Sequence, residues 1–358
     1  MVWENISMHL TLTFKYIEDP DGHHPSLRLK GDWLIIAISD GVVIGYGEAS
    51  HSGDDRACEI KIKQLFNMVI QDLDLSLRSM RALEAGVFSQ ADNFVTAIAI
   101  SALNQALYDL ISKQHNIPIW KLFSDLPKRE TIPFYATVNR ALRTRTPSDY
   151  LRVCRSIDEH AISAIKCTPF EKVDPSMTPP QQVSAANAGL SILKTIRDHF
   201  QKFSIRVDFH NRFHLNAFLK ILPQLEELNL EWIEEPCHDP HDFSVIRGET
   251  HIPLAAGELF FGTEKFIELM DSQLVDVIMP DIKHVGGVGP LIDVCREAQT
   301  RGVQVSPHNP SGPIAGLASL QVSAVADAIT SIEAVYLSSG GIPLMDHVIH
   351  GNVLNIPQ

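Results

Sequence analysis

The chain has 358 residues, of which 45% are hydrophobic and 20% charged, and its formal net charge is −13. This length suffices for a barrel-sized core and a smaller second domain, and the negative charge argues against a nucleic acid as partner. No segment reaches the roughly 18 to 20 consecutive apolar residues of a membrane helix, and we identify no secretory signal pattern. We therefore expect a cytoplasmic metabolic enzyme without nucleic-acid or membrane partners.

The cysteines are scattered and have no CxxC spacing: Cys58, Cys154, Cys167, Cys237 and Cys295. An odd number without paired spacing argues against a disulfide framework and against a zinc knuckle. It is typical of a protein from a reducing compartment.

The first part of the chain predicts a mixed α+β domain. Apolar and polar residues alternate over residues 9–16, and two further strand-like runs, 33–39 and 42–46, are joined by the turn pair Asp40-Gly41. Apolar residues then recur at helical spacing, most clearly over residues 93–112.

From residue 132 onward the pattern changes to repeated strand–loop–helix units. Helical spacing is clear at 183–200 and 290–300, and residues 170–180, rich in proline and charge, predict a long loop. The eight strand-like runs are 133–139, 161–167, 204–209, 230–236, 252–258, 275–281, 303–308 and 331–336. Eight strands that alternate with helices predict a closed parallel (β/α) barrel.

Ionisable residues occur at or near the ends of six successive strands: Asp208, Glu234, Glu258, Asp281, His308 and Glu333. Their successive separations are 26, 24, 23, 27 and 25 residues, close to one strand–helix unit each. Because the carboxyl ends of barrel strands meet at one mouth, where active sites of such barrels lie, we expect these side chains to converge there.

Carboxylates from three adjacent units predict a metal site. Asp208, Glu258 and an acid of the segment EWIEEP are hard oxygen donors, without cysteine or clustered histidine, and this set favours Mg²⁺. Alternation places Glu231 and Glu235 on one side of that strand and Glu234 on the other, so the strand pattern leaves the choice among them open.

Two histidines and a lysine are candidates for the acid–base and binding groups. His308 follows the seventh strand and Asp281 ends the sixth, and a carboxylate beside an imidazole fixes its tautomer and raises its basicity. His210 lies two residues beyond Asp208, and in an extended backbone the two side chains would point the same way, toward the metal. Lys166 ends the second strand and can place a cation near a substrate carboxylate.

In combination, these motifs resemble the enolase superfamily, in its mandelate racemase-like branch. The similarity rests on DFH at residue 208, WIEEP at 232, GE at 257, MPD at 279 followed by a glycine pair, and SPHN at 306. It implies an N-terminal α+β capping domain over residues 1–128. It further implies a modified TIM-type barrel over residues 129–358, whose C-terminal segment returns to the capping domain.

The resemblance also implies roles for single residues. Glu234 takes the second metal-ligand place between Asp208 and Glu258, Asp281 and His308 match the branch's Asp–His dyad, and Glu333 helps to bind the substrate carboxylate. One departure is that many relatives carry Lys-x-Lys where this chain has Lys166-Cys167-Thr168. Threonine cannot deprotonate carbon, so the two-base arrangement of a racemase is incomplete unless Lys166 assumes that role.

The arrangement at Asp208 and His210 is similar to that of galactonate-type dehydratases, in which this histidine protonates the departing hydroxyl. We therefore expect a Mg²⁺-dependent dehydratase of a small sugar acid, an aldonate or similar, that forms a 2-keto-3-deoxy acid. A racemase or epimerase of a hydroxy or amino acid is the alternative, whereas Asp281 disfavours a cycloisomerase.

Substrate identity is expected to depend on loops of the capping domain, at residues 19–27 and 50–55, and on Asn139 and Arg140 at the end of the first barrel strand. His23 and His24 lie in the first of these loops, where substrate contact and surface placement both remain open. A homo-oligomer is the default expectation for such an enzyme.

Overall fold

The computed structural model describes residues 9–17, 33–239, 241–310, 312–337, 342, 349–350 and 353–357. The predicted substrate loop at 19–27, with His23 and His24, lies outside the described residues. All five cysteines are buried thiols, as expected for a chain without a disulfide framework.

The N-terminal α+β domain combines a three-stranded antiparallel sheet with helices. The sheet has the order β1-β2-β3, with β1 Thr11–Ile17, β2 Trp33–Ser39 and β3 Ile44–Glu48, and the helices are α1 Asp55–Leu65, α2 Leu77–Ala85 and α3 Phe94–Gln114. The third strand begins two residues later than predicted, because the backbone N–H groups of Val42 and Val43 both donate to Asp40 Oδ1 at 2.8 Å. These bonds extend the turn beyond Gly41, which has a φ of +91°.

Helix α3 packs directly against β3. A Cβ atom on Gly45 would lie 2.0 Å from Ala106 O, and one on Gly47 would lie 2.0 Å from Ala102 O, so this approach requires glycine at both positions. By length and composition α3 could cross a membrane, yet 83% of its most apolar window is buried inside the protein. Its apolar character is therefore accounted for by its place in the core.

The second domain is the predicted barrel of parallel strands. The strands are β4 Thr131–Thr137, β5 Ala164–Cys167, β6 Ser204–Asp208, β7 Trp232–Glu234, β8 Leu254–Ala256, β9 Val277–Ile278, β10 Gln304–Val305 and β11 Ile332–Val335. Neighbours pair in chain order from β4 to β10, and β11 pairs with β4. A parallel bridge between Val305 and Ile329 closes the ring. All eight predicted strands are confirmed; β4 begins and ends two residues earlier than predicted, and the other seven are shorter than predicted.

The barrel helices are α4 Pro147–Glu159, α5 Pro179–His199, α6 Leu215–Glu226, α7 Asp242–Glu249, α8 Glu264–Asp271, α9 Ile282–Val285, α10 Val288–Arg301 and α11 Pro313–Ser323. The predicted helices 183–200 and 290–300 correspond to α5 and α10. After β11 come two short strands, β12 Ile349–His350 and β13 Val353–Asn355, and β13 pairs antiparallel with β4. The described end of the chain thus lies against the barrel, and its predicted return to the capping domain stays a prediction.

A buried carboxylate joins the two domains. Glu48, the last residue of β3, is 0% exposed and accepts hydrogen bonds from Gly312 N at 2.7 Å and Ala315 N at 3.0 Å, at the start of α11. Nearby, Ser101 on α3 donates from its hydroxyl to Ile282 O at 2.6 Å. The capping domain therefore contacts the chain directly after two barrel strands, β9 and β10.

Candidate active site

Three carboxylates meet at the carboxyl ends of neighbouring strands. Asp208 and Glu234 are the last residues of β6 and β7, and Glu258 follows β8. Their exposures are only 2%, 0% and 5%. Between β8 and Glu258 the chain turns at Gly257, which has a φ of +106°, and a Cβ there would lie 2.8 Å from the Phe266 ring. Glycine at this position therefore lets the chain bring Glu258 back into the mouth.

The environment of Glu258 fits a cation. Its Oε2 atom is buried without a hydrogen-bond partner. Burial, and next the negative charge of Asp208, raise the pKa of Glu258 well above its ordinary value. Candidate ligand atoms of Asp208, His210 and Glu258 all lie within 4.8 Å of one another. Buried carboxylates that repel each other around an orphaned oxygen are the donor set that a hard divalent cation stabilises.

The predicted ligand Glu234 is not a member of that 4.8 Å group, and two donors occupy its carboxylate. Lys166 Nζ lies 2.9 Å from its Oε1, and the Trp232 indole N–H donates to its Oε2 at 3.1 Å. The contact with Trp232 agrees with strand alternation, which places residues 232 and 234 on the same side. Of the other acids in the segment, Glu231 accepts from the Ser204 hydroxyl near the surface, and Glu235 accepts from Gly257 N at 3.0 Å.

Lys166 and Glu333 form a buried ion pair. Lys166 is 2% exposed and its Nζ lies 3.1 Å from Glu333. Burial alone would lower the pKa of Lys166, but the charges of Glu234 and Glu333 raise it well above its ordinary value. Glu333 also accepts from Asn309 N at 3.2 Å. The lysine is thus a fixed cation inside the mouth, and it does not extend to the surface.

His308 and Asp281 are paired as predicted from their strand ends. The distance from His308 Nδ1 to Asp281 Oδ2 is 3.0 Å, and His308 Nε2 lies 3.2 Å from Glu258 Oε2. Burial alone would raise the pKa of Asp281, but the positive charge of Lys283, together with His284 and the hydrogen bond to His308, lowers it well below its ordinary value. Asp281 is therefore a carboxylate that orients the imidazole.

His210 lies next to Asp208, although not by the predicted route. The expectation of an extended backbone is wrong here, because His210 and Asn211 have φ values of +50° and +56°. The left-handed turn folds the imidazole back, so that its Nε2 lies 2.6 Å from Asp208 Oδ2. Burial would lower the pKa of His210, but the charge of Asp208 raises it above its ordinary value. The His210 side chain stays 38% exposed.

The two imidazoles approach the carboxylates from opposite sides. His210 follows β6 and His308 follows β10, and these strands are four places apart in the ring of eight. Each histidine contacts an aspartate from its own side, Asp208 or Asp281. Between them lie the carboxylates of Asp208 and Glu258. The arrangement can place a proton acceptor on one side of a bound small molecule and a proton donor on the other side.

The remaining predicted residues lie at the end of β4 and in the loop after β5. Asn139 Oδ1 accepts from Thr168 N at 3.1 Å, and the Thr168 hydroxyl accepts from the Arg145 guanidinium at 3.4 Å. Arg140 is 5% exposed and donates to Pro310 O at 2.7 Å. Asn139 therefore positions the chain at Thr168, whereas Arg140 points toward the loop after His308.

Sequence reasoning missed three residues in this region. Lys283 Nζ lies 3.5 Å from Asp281 Oδ2, and His284 Nδ1 lies 2.8 Å from Glu258 O, with burial lowering the pKa of His284 to about 4. His51, in the capping-domain loop, lies 3.1 Å from Arg140. Lys283 and His284 follow Asp281 by two and three residues, a spacing that could have identified them. For His51, no sequence feature other than its place in a predicted substrate loop could have identified it.

Residues 29–124 match the model of the mandelate racemase / muconate lactonizing enzyme N-terminal domain, and residues 149–356 match the enolase C-terminal domain-like model. The chain belongs to the enolase superfamily, in its mandelate racemase-like branch. The resemblance predicted from the motifs is therefore confirmed, together with the capping-domain and barrel architecture of this superfamily.

Solved structures share the fold of this enolase superfamily member. One is a provisionally named dehydratase from Mesorhizobium loti, with a TM-score of 0.84, 21% identity, and coverage of 98% of this chain and 94% of that one. Another, a provisionally named galactarate dehydratase from Agrobacterium radiobacter with Na and L-malate bound, has a TM-score of 0.79, 21% identity, and coverage of 97% and 89%. A provisionally named dehydratase from Zymomonas mobilis ZM4 has a TM-score of 0.82, 20% identity, and coverage of 98% and 93%.

Proposed function

We propose that the chain is a Mg²⁺-dependent dehydratase of a small sugar acid, an aldonate or similar, and that its product is a 2-keto-3-deoxy acid. The observation that carries this proposal is the placement of His210 and His308 on opposite sides of one carboxylate group, each contacting its own aspartate. Loss of water from a 2,3-dihydroxy acid requires removal of the proton at carbon 2 and delivery of a proton to the hydroxyl at carbon 3. Two separately held imidazoles suit these two tasks.

The metal would be held by Asp208, Glu234 and Glu258, all hard oxygen donors from adjacent strands. When bound, Mg²⁺ supplies electrostatic stabilisation of the enediolate that forms when the α-proton is removed, worth several kcal/mol. The orphaned Oε2 of Glu258 and the raised pKa of this carboxyl support a cation at this position. Enolase superfamily membership supports the same cofactor.

His308 is assigned to removal of the α-proton. Because Asp281 is ionised and lies 3.0 Å from Nδ1, it accepts the Nδ1–H bond, and the lone pair is then on Nε2. Nε2 is the nitrogen directed at Glu258, toward the carboxylate group. The base is thus oriented toward the place where the carbon acid would be held.

His210 is assigned to protonation of the departing hydroxyl. Asp208 raises the pKa of His210, so the imidazole is more readily protonated before the reaction than an isolated histidine. Lys166 and Glu333 would bind the substrate carboxylate. Lys166 would contact it as a cation, and Glu333 would hold Lys166 in place. In balance, His308 gains a proton, His210 loses one, water departs, and the resulting enol becomes the 2-keto acid.

The decisive experiment separates the two histidines. A library of acid sugars is first screened for 2-keto acid formation with and without Mg²⁺. With the substrate in hand, His308→Asn is expected to lose both dehydration and exchange of the α-proton with deuterated solvent. His210→Asn is expected to lose dehydration by about 10²- to 10⁴-fold yet to retain exchange. Asparagine tolerates the left-handed backbone at this position, so the variant tests the imidazole alone.

Metal binding by both variants, measured by calorimetry, is the control for this experiment. Loss of exchange only in His210→Asn would reverse the base and acid assignments. Full activity of His210→Asn would remove the leaving-group role, and full turnover after chelation would contradict the whole proposal.

Racemisation or epimerisation of a hydroxy or amino acid on the same metal site is the second candidate, because it shares the carboxylates and His308. It needs a second base on the face of the α-carbon opposite His308. There, this chain has Thr168 where many relatives have lysine, and Lys166 is already bound to Glu234 and Glu333. We expect substrates without a β-hydroxyl to exchange the α-proton from one face only. Proton NMR in deuterated solvent tests this, and efficient interconversion of two α-epimers would favour the second candidate.

A further inference from the structure

Basic side chains gather where the capping domain meets the barrel mouth. Arg140, which follows β4, is 5% exposed and donates to Pro310 O at 2.7 Å. Pro310 is two residues beyond His308, so the arginine reaches from the end of β4 to the loop that carries the proposed base. A buried guanidinium at this place is a fixed positive charge at the rim of the mouth.

The capping domain contributes His51 to the same place. Both ring nitrogens of His51 lie close to the Arg140 guanidinium, at 3.1 and 3.2 Å. His51 has a φ of +61°, in the left-handed region that side chains other than glycine rarely adopt. Strained backbone of this kind persists where the surrounding structure enforces it, and it is concentrated at ligand-binding sites. The loop is thus held in a conformation that directs an imidazole at Arg140.

Lys283 adds a second cation. It is 1% exposed, and its Nζ lies 3.5 Å from Asp281 Oδ2, the atom that also contacts His308. Burial, and next the positive charges of Arg140 and Lys283, lower the pKa of His51 to about 2, so this imidazole is neutral. Lys283 thus lies beside the Asp281–His308 pair, and Arg140 with His51 lies at the loop that follows His308.

We propose that Arg140, His51 and Lys283 form a second anion subsite, which receives a carboxylate at the far end of the substrate. Lys166 and Glu333 receive the carboxylate next to the reacting carbon. This inference rests on the proposed function, and it narrows the substrate class from sugar acids to sugar diacids. An arginine fork can bind a carboxylate through two parallel N–H bonds, and a neutral imidazole adds one N–H donor.

The test compares matched pairs of acids that differ only at the far end. Galactarate and galactonate form one pair, and glucarate and gluconate form another, with a terminal carboxylate exchanged for a hydroxymethyl group. Binding to the Mg²⁺-loaded protein is measured by calorimetry, and 2-keto acid formation is measured as kcat/KM. We expect the diacid of at least one pair to exceed its monoacid about tenfold or more in both measurements.

Arg140→Met removes the fork and keeps an unbranched side chain of similar reach. It is expected to abolish the advantage of the diacid, so that diacid binding and kcat/KM fall about tenfold or more relative to those of the monoacid. Arg143→Met is the matched control, because Arg143 is an exposed arginine of the same loop, and it should change neither acid. His51→Asn keeps a residue that tolerates the left-handed backbone and should weaken diacid binding alone, by a smaller factor.

Equal binding of diacids and monoacids by the unaltered protein would overturn the subsite. So would an equal loss of both acids in Arg140→Met, which would show that the arginine only ties the capping loop to the barrel. If Arg140→Met does not fold, His51→Asn decides by the same comparison. Diacid binding without 2-keto acid formation would refute the proposed function but support the subsite. Turnover restricted to monoacids would support the proposed function but refute the subsite.

Discussion

Two regions that bury carboxylates differ in how the negative charge is compensated. At the domain boundary, Glu48 is fully buried and bonded to the backbone N–H groups of Gly312 and Ala315 at a helix start. In the barrel mouth, Glu258 is buried against Asp208, with a raised pKa and an oxygen that has no hydrogen bond. His308 Nε2 and Lys166 Nζ lie 3.2 and 3.9 Å from that oxygen, yet the pKa of Glu258 stays raised. We therefore infer that the mouth is kept in this state for a ligand, whereas Glu48 maintains structure.

The largest expected effect follows from removing charge in the mouth. Glu258→Gln should reduce turnover by at least about 10³-fold, because several kcal/mol of stabilisation of the enediolate depend on the bound metal. Its thermal stability without metal should not fall, since the substitution relieves repulsion with Asp208. Calorimetric titration with Mg²⁺ and thermal unfolding in a chelator provide the measurements. Loss of stability with intact metal binding would place Glu258 in the structural class of Glu48.

The next effect concerns a carboxylate of the mouth that does have partners. Asp281→Asn should reduce turnover by about 10²-fold or more. An amide can either accept from Nδ1–H or donate to Nδ1, so it no longer fixes the tautomer of His308. Metal affinity should be unchanged, because Asp281 contacts His308 and Lys283 rather than the proposed ligands. Steady-state kinetics alongside Mg²⁺ titration distinguish the outcomes, and a variant with normal turnover would refute the dyad.

At the domain boundary, the expected effect is on stability. Glu48→Ala leaves the N–H groups of Gly312 and Ala315 without their acceptor, and we expect a loss of about 3 kcal/mol in the free energy of unfolding. Glu48→Gln retains an acceptor oxygen and should lose less. Denaturant unfolding of both variants measures the difference, with Mg²⁺ affinity as the control that should not move. Unchanged stability of the Glu48→Ala protein would contradict a structural role of Glu48.

The smallest expected effect is a pH dependence at His51. The unfolded chain protonates this histidine below pH about 6.5, while the folded protein keeps it neutral down to about pH 2, so the folded state loses stability as the pH falls below about 6.5. Between pH 7 and pH 5.5 this amounts to about 1 kcal/mol. His51→Asn should lack this share of the decrease. Denaturant unfolding at both pH values tests it, and identical pH slopes for the two proteins would contradict a neutral His51 in the folded state.

Strand order and strand ends were predictable because they depend on periodic patterns. Eight apolar runs at regular spacing predict a ring, and a ring brings Asp208, Asp281 and His308 to one mouth irrespective of the exact strand bounds. The pairing of His308 with Asp281 follows from the adjacency of β9 and β10. Such predictions tolerate errors of two residues at an element boundary, as at the start of β3.

Contacts that depend on single dihedral angles or on chain segments far apart were not predictable. His210 reaches Asp208 through a left-handed turn that no periodicity indicates. The ion pair of Lys166 with Glu234 joins residues 68 positions apart, and nothing in the strand pattern distinguishes this partner from other acids. His51 lies at the mouth only because the capping domain docks there. Docking depends on many contacts between the two domain surfaces, which no local sequence pattern indicates.

The Glu48 contact also constrains how this barrel could exchange capping domains with its relatives. A transplanted cap must present a carboxylate where Glu48 meets α11, and a small hydroxyl where Ser101 meets Ile282 O. In a chimeric library, caps that carry these two residues should yield soluble hybrids far more often than caps chosen by overall sequence identity.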